Sequence, residues 1–225
     1  PCALPGATLP GNFTIKIAKV RGIESSGMLC SAKELGIAEE ASGLLVLPAD
    51  APVGLSIREY LDLDDNVFEL KLTPNRADCL SLTGVAREVA AIAGAQVKFV
   101  AVPEVAATIP DQREVILDTP AACPLYCGRV IKGVDARAAT PDWMKRRLER
   151  SGIRAISALV DVTNYVMLEL GQPLHAFDNT KLEGAVHARM SRTGEKLLLL
   201  NEQTIAIDSD VLVIADDAKP LAMAG

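Results

Sequence analysis

Every stretch of this chain that keeps one periodicity is short and is closed by glycine or proline, and that punctuation limits the fold to small elements. SLTGVAREVAAIA, residues 81–93, sets Leu82, Val85, Val89 and Ile92 on one helical face and stops at Gly94. Thr140, Pro141 and Asp142 supply an N-cap, a first-turn proline and a dipole-favourable acid for a helix ending near Gly152. In VDVTNYVMLELGQPLHAFD, residues 160–178, Asp161 reads as an N-cap, Gly171 as the left-handed residue past the end and Pro173 as a stop. A helix of about nine residues is predicted there, with Thr163 and Asn164 in its first turn, where unpaired N–H groups and the helix dipole favour an oxyanion or phosphate. His175 follows the break, where the chain is free to turn back along the helix flank.

The remaining segments read as strands. FTIKIAKVRGIESSGMLC, residues 13–30, alternates through Phe13, Ile15 and Ile17 before a glycine-rich turn, the pattern of a half-buried strand and hairpin. GLLVLPADAPVG (43–54) predicts a short buried strand, and VFELKL (67–72) another with alternation. PEVAATIPDQ (103–112) reads as a linker; beyond it EVILD (114–118) and YCGRVIKGV (126–134) look like strands, and residues 186–216 are β-rich with Thr-Gly and Asn-Glu turns. The expected fold is α+β, with mixed and antiparallel sheets and short helices, preceded by the tail of an OB-like β module. Three domains are expected, over residues 1–37, 38–100 and 113–225.

Composition excludes several classes. No apolar run approaches the roughly 20 residues that span a bilayer. PCALPGATLPG at the start has neither an initiator Met nor a basic region leading into an apolar stretch, and the chain stops on VLVIADDAKPLAMAG, so it reads as a piece of a longer protein. The net charge of −6 argues against a free-standing nucleic-acid binder, and RNA contact is expected to be local. Five cysteines (Cys2, Cys30, Cys79, Cys123, Cys127) without a CxxC pair, beside two histidines, do not make a zinc site; reduced, mostly buried thiols are expected. Neither a nucleophile elbow nor a Walker-type phosphate loop is present. A mean hydropathy of +0.23 suggests apolar surface that has lost a partner.

VDVTNYVMLELGQPLHAFD, together with LTPNRADCLSLTGVAREVAA (72–91) and CPLYCGRVI (123–131), resembles the bacterial-type phenylalanyl-tRNA synthetase β subunit over essentially the whole chain. RGIESSGMLCSAKELG (21–36) resembles the end of that family's OB-fold tRNA-binding module. The resemblance implies part of an ATP-dependent, heterotetrameric, cytoplasmic ligase that charges tRNA-Phe, with the ligase chemistry on an α subunit. It further implies that this region proofreads, hydrolysing tyrosine from mischarged tRNA-Phe. An apolar phenylalanine pocket rejects an added hydroxyl only about 100-fold, so a second, hydrolytic site is needed. An activated ester needs no covalent nucleophile, only a positioned water and a stabilised oxyanion.

By the resemblance, Thr163, Asn164 and His175 line the editing pocket around the terminal adenosine and the water, with His175 orienting the water or a ribose hydroxyl. Ala224 and Gly225 begin the glycine-rich pocket wall, and the acid that reads the tyrosine hydroxyl falls beyond Gly225. No cofactor or metal belongs to this region, although the parent enzyme uses ATP and magnesium. The implied partners are tRNA-Phe and the α subunit, not a membrane or DNA. Asn75, Arg76 and Asp78 are expected to form a hydrogen-bonded turn and cap. Asn201, Glu202 and Gln203 fall in a tight turn where the family often has Asp-Gly. Lys145, Arg146, Arg147 and Arg150, beside Arg154, form a basic helix face, read as ordinary solvated surface or as a place for RNA phosphates. The rival to proofreading is a non-catalytic scaffold that docks tRNA or the partner subunit.

Overall fold

The computed structural model describes residues 1–39, 42–99 and 101–225. The chain forms two compact units, Pro1–Phe68 and Glu69–Gly225. The architecture is α+β with mixed sheets, short helices and an OB-like set of strands at the N-terminus. Residue 100, the expected limit of the middle domain, lies outside the described residues, as do residues 40 and 41.

In the first unit six strands of two or three residues pair as antiparallel ladders: β1 (Cys2–Ala3) with β6 (Met28–Leu29), β2 (Thr8–Leu9) with β3 (Phe13–Thr14), and β4 (Ala18–Val20) with β5 (Ile23–Ser25). Arg21 and Gly22 join β4 to β5, both at positive φ, as a two-residue hairpin loop of the I′ kind requires. The predicted hairpin therefore forms, but its expected apolar face does not. The strand breaks at Ile15, so Phe13, Ile15 and Ile17 do not share a pleat, and only Ile15 is buried, with Ala3 and Cys30. The strand expected within 43–54 is also absent among the described residues: Leu44 and Val46 are exposed on backbone without a ladder. A four-residue helix, α1 (Ile57–Tyr60), follows.

The second unit is built on a four-stranded sheet of order β12–β11–β8–β7. Its strands are β7 (Val115–Leu117), β8 (Val186–Met190), β11 (Leu212–Ala215) and β12 (Pro220–Met223). β7 runs parallel to β8; the other pairings are antiparallel. Val186, Ala188 and Ile214 face one side, where Val115, Leu117, Cys123, Tyr126, Phe177, Leu182 and Ala222 pack on them. Val213 and Ala215 face the other and are covered by the antiparallel hairpin of β9 (Lys196–Leu198) and β10 (Thr204–Ala206), through Leu197, Leu199, Ile205 and Ile207. That hairpin closes without Asp-Gly: Glu202 takes the left-handed conformation, and Asn201 Oδ1 accepts from the Gln203 N–H at 3.1 Å. VFELKL and YCGRVIKGV, both expected as strands, join no ladder among the described residues.

Among the described residues three α-helices complete the unit: α2 (Leu82–Ala93), α3 (Asp142–Arg150) and α4 (Ala158–Leu170), with α4 packed against both others. α2 forms as predicted, Ser81 Oγ accepting from the Gly84 N–H at 3.0 Å and Gly94 closing it at φ 63°. Its apolar side is not covered, however, and Leu82, Val89 and Ile92 are each more than half exposed. The turn before it is hydrogen-bonded as expected: Arg76 donates to Asp78 at 2.9 and 3.1 Å and to Glu88 at 2.5 Å. Of the five free cysteines only Cys30 and Cys79 are buried, fewer than expected, because Cys2 and Cys127 sit on segments too short or irregular to be covered. No helix among the described residues is long and apolar enough to cross a membrane.

Candidate functional site

The helix carrying Thr163 and Asn164 begins one turn earlier than predicted. Ser157, in extended conformation, is its N-cap, and Asp161 is already the fourth helical residue. Asp161 is fully buried and its carboxylate reaches back out of the helix, accepting from the Ile156 N–H at 2.9 Å and from the Thr140 hydroxyl. Thr140 thus ties α3 to α4 and does not cap α3, whose N-cap is Pro141. Asp161 secures the entry to the helix from inside its first turn, which is why its signature resembles a cap. Thr163 and Asn164 are consequently the sixth and seventh residues of α4, where backbone N–H groups are paired along the helix. The open amides expected beside them belong instead to the turn that starts at Ala158. Thr163 Oγ1 donates to the Val160 carbonyl at 2.7 Å, and Asn164 is half-buried. At the other end Gly171 takes φ 76°, as predicted, and a Cβ added there would come within 3.0 Å of Ser81 Oγ at the start of α2.

After that break His175 enters an aromatic bracket. The Phe177 ring stacks on it at 5.9 Å with a 9° interplanar angle, and the Tyr126 ring lies at 6.3 Å and 25°. The Tyr126 hydroxyl is 3.4 Å from His175 Nδ1. Tyr126 and Phe177 are both rooted in the cluster on Val186, Ala188 and Ile214, so the sheet holds the bracket while the imidazole edge stays at the surface. Burial pushes the His175 pKa below its ordinary value and the Tyr126 phenol above its own, so a neutral imidazole faces a protonated phenol.

Ala224 and Gly225 prolong the pairing of β11 with β12: the Ala224 N–H donates to the Leu212 carbonyl and the Leu212 N–H to the Gly225 carbonyl, both at 2.8 Å. Ala222, two residues earlier, packs in the same cluster as Tyr126 and Phe177. The structure therefore relates His175 to the Ala224 strand through one core. No hydrogen bond or ring contact joins His175 to Thr163 or Asn164 among the described residues.

Sequence reasoning missed the bracket. Phe177 was discoverable as the aromatic two residues along an extended segment, on the same side as His175; Tyr126, inside CPLYC, carried no signal. It also missed the second histidine. His187 Nδ1 lies 2.7 Å from Asp118 Oδ2 and Nε2 lies 2.9 Å from Asp217 Oδ1. Ionised carboxylates only accept, so both nitrogens donate; the bond to Asp118, then that to Asp217, raises the His187 pKa above its ordinary value. Beside it Asp216 is buried, which pushes its carboxyl up, but bonds from the Glu183, Lys219 and Ala218 N–H groups outweigh this and hold it below the usual range. This cluster fastens the strand ends next to Gly184.

Residues 122–225 match the B3/4 domain and residues 6–56 a tRNA binding domain, so the class is a B3/4 protein that also carries a tRNA-binding module. The chain is similar over its whole length to the phenylalanine–tRNA ligase beta subunits of Dechloromonas aromatica (83% identical over 225 residues), Aromatoleum aromaticum (63% over 228) and Chromobacterium violaceum (62% over 225). Together these matches support a stretch of the phenylalanine–tRNA ligase beta subunit family. The chain spans 28%, 28% and 29% of the length of these three relatives.

Proposed function

We propose that this chain is the tRNA-contacting and proofreading part of a phenylalanine–tRNA ligase, in which residues 113–225 hydrolyse tyrosine from mischarged tRNA-Phe. The observation that carries it is the bracketed, neutral His175 on the B3/4-matched segment. A surface imidazole flanked by two core-anchored rings and kept uncharged suits the placing of a water or a ribose hydroxyl at an ester carbonyl. Water adds to the carbonyl carbon, the tetrahedral oxyanion collapses, and the ribose oxygen leaves with a proton that came from the water. Thr163 and Asn164 supply polar groups from α4, and Ala224 and Gly225 open the pocket wall. The corrected start of α4 moves oxyanion stabilisation away from its first-turn amides and onto side chains.

On this reading the whole enzyme is a cytoplasmic heterotetramer that uses ATP and magnesium, with an α subunit as partner. This chain's residues do not fit a magnesium site: no group of three metal-ligating side chains gathers among the described residues, and His187 has both ring nitrogens turned to carboxylates. In the assembled full-length enzyme, His175→Ala is expected to let Tyr-tRNA-Phe accumulate, with hydrolysis down about 100-fold and phenylalanine charging retained. Unchanged deacylation would remove His175 from the reaction.

A second function, docking without catalysis, has its own observation. On α3 the Arg147 guanidinium lies 5.3 Å over the Trp143 ring and donates to the Tyr165 hydroxyl at 2.6 Å, and Trp143 and Tyr165 meet edge to face at 5.2 Å. The basic face is thus partly organised around aromatics, a combination suited to RNA phosphates and bases. Loss of tRNA binding in Trp143→Ala with intact hydrolysis per bound tRNA would assign this face to docking alone.

A further inference from the structure

The bracket around His175 has a chemical direction that proofreading by itself does not require. A neutral imidazole carries one proton, and whether it sits on Nδ1 or Nε2 decides whether the outer nitrogen accepts or donates. Three features of the structure bear on this. The Tyr126 ring is packed against Val186, Ala188 and Ile214, where a phenylalanine would serve the core as well, so its hydroxyl is the part that packing does not explain. That hydroxyl has His175 Nδ1 at 3.4 Å as its partner, at the exposed side of the cluster. Phe177 lies parallel to the imidazole, within 9° and with ring centroids 5.9 Å apart, so the ring is flanked on the side of the chain that carries it.

Between a protonated phenol and a neutral imidazole, the imidazole nitrogen is the better acceptor and the phenol the better donor, so the O–H points at Nδ1. The separation is long for a settled O–H···N bond, as catalytic contacts without substrate often are.

We propose that Tyr126 is a positioning residue for the hydrolysis: by donating to Nδ1 it keeps the His175 proton on Nε2, so the outer edge of the ring is a hydrogen-bond donor and not a base. This rests on the proofreading reading of His175 and deepens it. Nε2–H then bonds to the oxygen on which charge develops, either the tetrahedral oxyanion or the departing ribose oxygen, and is not itself transferred. Water supplies the hydroxyl that joins the carbonyl carbon and the proton that leaves with the ribose oxygen, so the reaction balances with no proton delivered by the protein.

The test is made in the full-length beta subunit assembled as the ligase, following deacylation of Tyr-tRNA-Phe. Tyr126→Phe keeps the ring and removes only the donor; kcat is expected to fall about tenfold with KM little changed, the size of effect typical of a group that orients another. A bond donated to Nδ1 favours the neutral imidazole, so its loss moves the titration of the His175 ring, followed by NMR of the isotope-labelled imidazole, to higher pH. In a His175→Ala background the same change is expected to have no further effect. Replacing Tyr126 with 3-fluorotyrosine, a stronger donor with the same packing, moves that titration the other way. An unchanged rate in Tyr126→Phe, an additional full loss in the His175→Ala background, or a His175 titration that ignores both replacements would overturn the proposal while leaving His175 in its role. An effect of Tyr126→Phe confined to the thermal unfolding midpoint would make Tyr126 a core residue only. Unchanged deacylation in His175→Ala alone would overturn the reading beneath it as well.

Discussion

The two histidines sit in opposite electrostatic settings and give the fold opposite responses to pH. His187 is held above its ordinary pKa by Asp118 and Asp217; the stability it contributes is fully present below pH 6.5 and is lost as pH rises through its folded value. His175 is held below its ordinary pKa by burial; its contribution is present above pH 6.5 and is lost as pH falls through its folded value. Denaturant unfolding from pH 5 to 8 is therefore expected to show that His187→Ala removes a decline toward alkaline pH, whereas His175→Ala removes a decline toward acid pH. Gly84 gives a sharper local prediction, because a Cβ there would come within 1.7 Å of the Asp78 carbonyl oxygen. Gly84→Ala is expected to cost at least about 2 kcal/mol, read from the unfolding midpoint. Little of this was legible in the sequence, since His187 in VHARM shows neither of the aspartates that chain folding brings to it from 69 and 30 residues away.

Among the elements, helix ends were legible where glycine closes them and less so where an acid opens them. Gly94 and Gly171 fix the ends of α2 and α4 through their left-handed backbone, which is a property of the residue itself. Asp161 misled because a carboxylate satisfies backbone donors equally well from the cap or from one turn inside. Asp161→Ala is expected to strand the Ile156 N–H and the Thr140 hydroxyl and to destabilise the unit by about 2–3 kcal/mol, with early hydrogen exchange at the start of α4. Strands were over-predicted in VFELKL and YCGRVIKGV because alternation marks extended chain, while a ladder also needs a partner that sequence does not name. One ladder neighbour carries an ion pair of consequence: Arg189 on β8 binds Glu195 through two bonds of 2.6 and 2.8 Å, and both side chains are largely buried. Glu195→Ala leaves that guanidinium uncompensated and is expected to cost about 3 kcal/mol in equilibrium unfolding.

At the scale of the whole molecule, composition foretold the uncovered surface better than it foretold burial. Leu82, Val89 and Ile92 on α2, and Leu44, Val46, Val67 and Phe68 elsewhere, stand exposed in a chain that spans little more than a quarter of its relatives. Val89→Lys with Ile92→Lys is expected to reduce binding of an apolar dye by the isolated chain without lowering its unfolding midpoint. The α+β class and the helices could be read from punctuation and periodicity, and the position of His175 past a helix break was legible too. What holds that ring was not, because Tyr126 lies 49 residues earlier in the chain.

The anchoring of both bracket rings in the cluster of Val186, Ala188 and Ile214 has a consequence for fidelity. Loosening of that sheet face would free both rings and with them the imidazole. If the proposed chemistry holds, warming or a mild core substitution such as Ile214→Val would make translation less accurate while phenylalanine is still being charged, so mistakes would be the first symptom of a weakening fold.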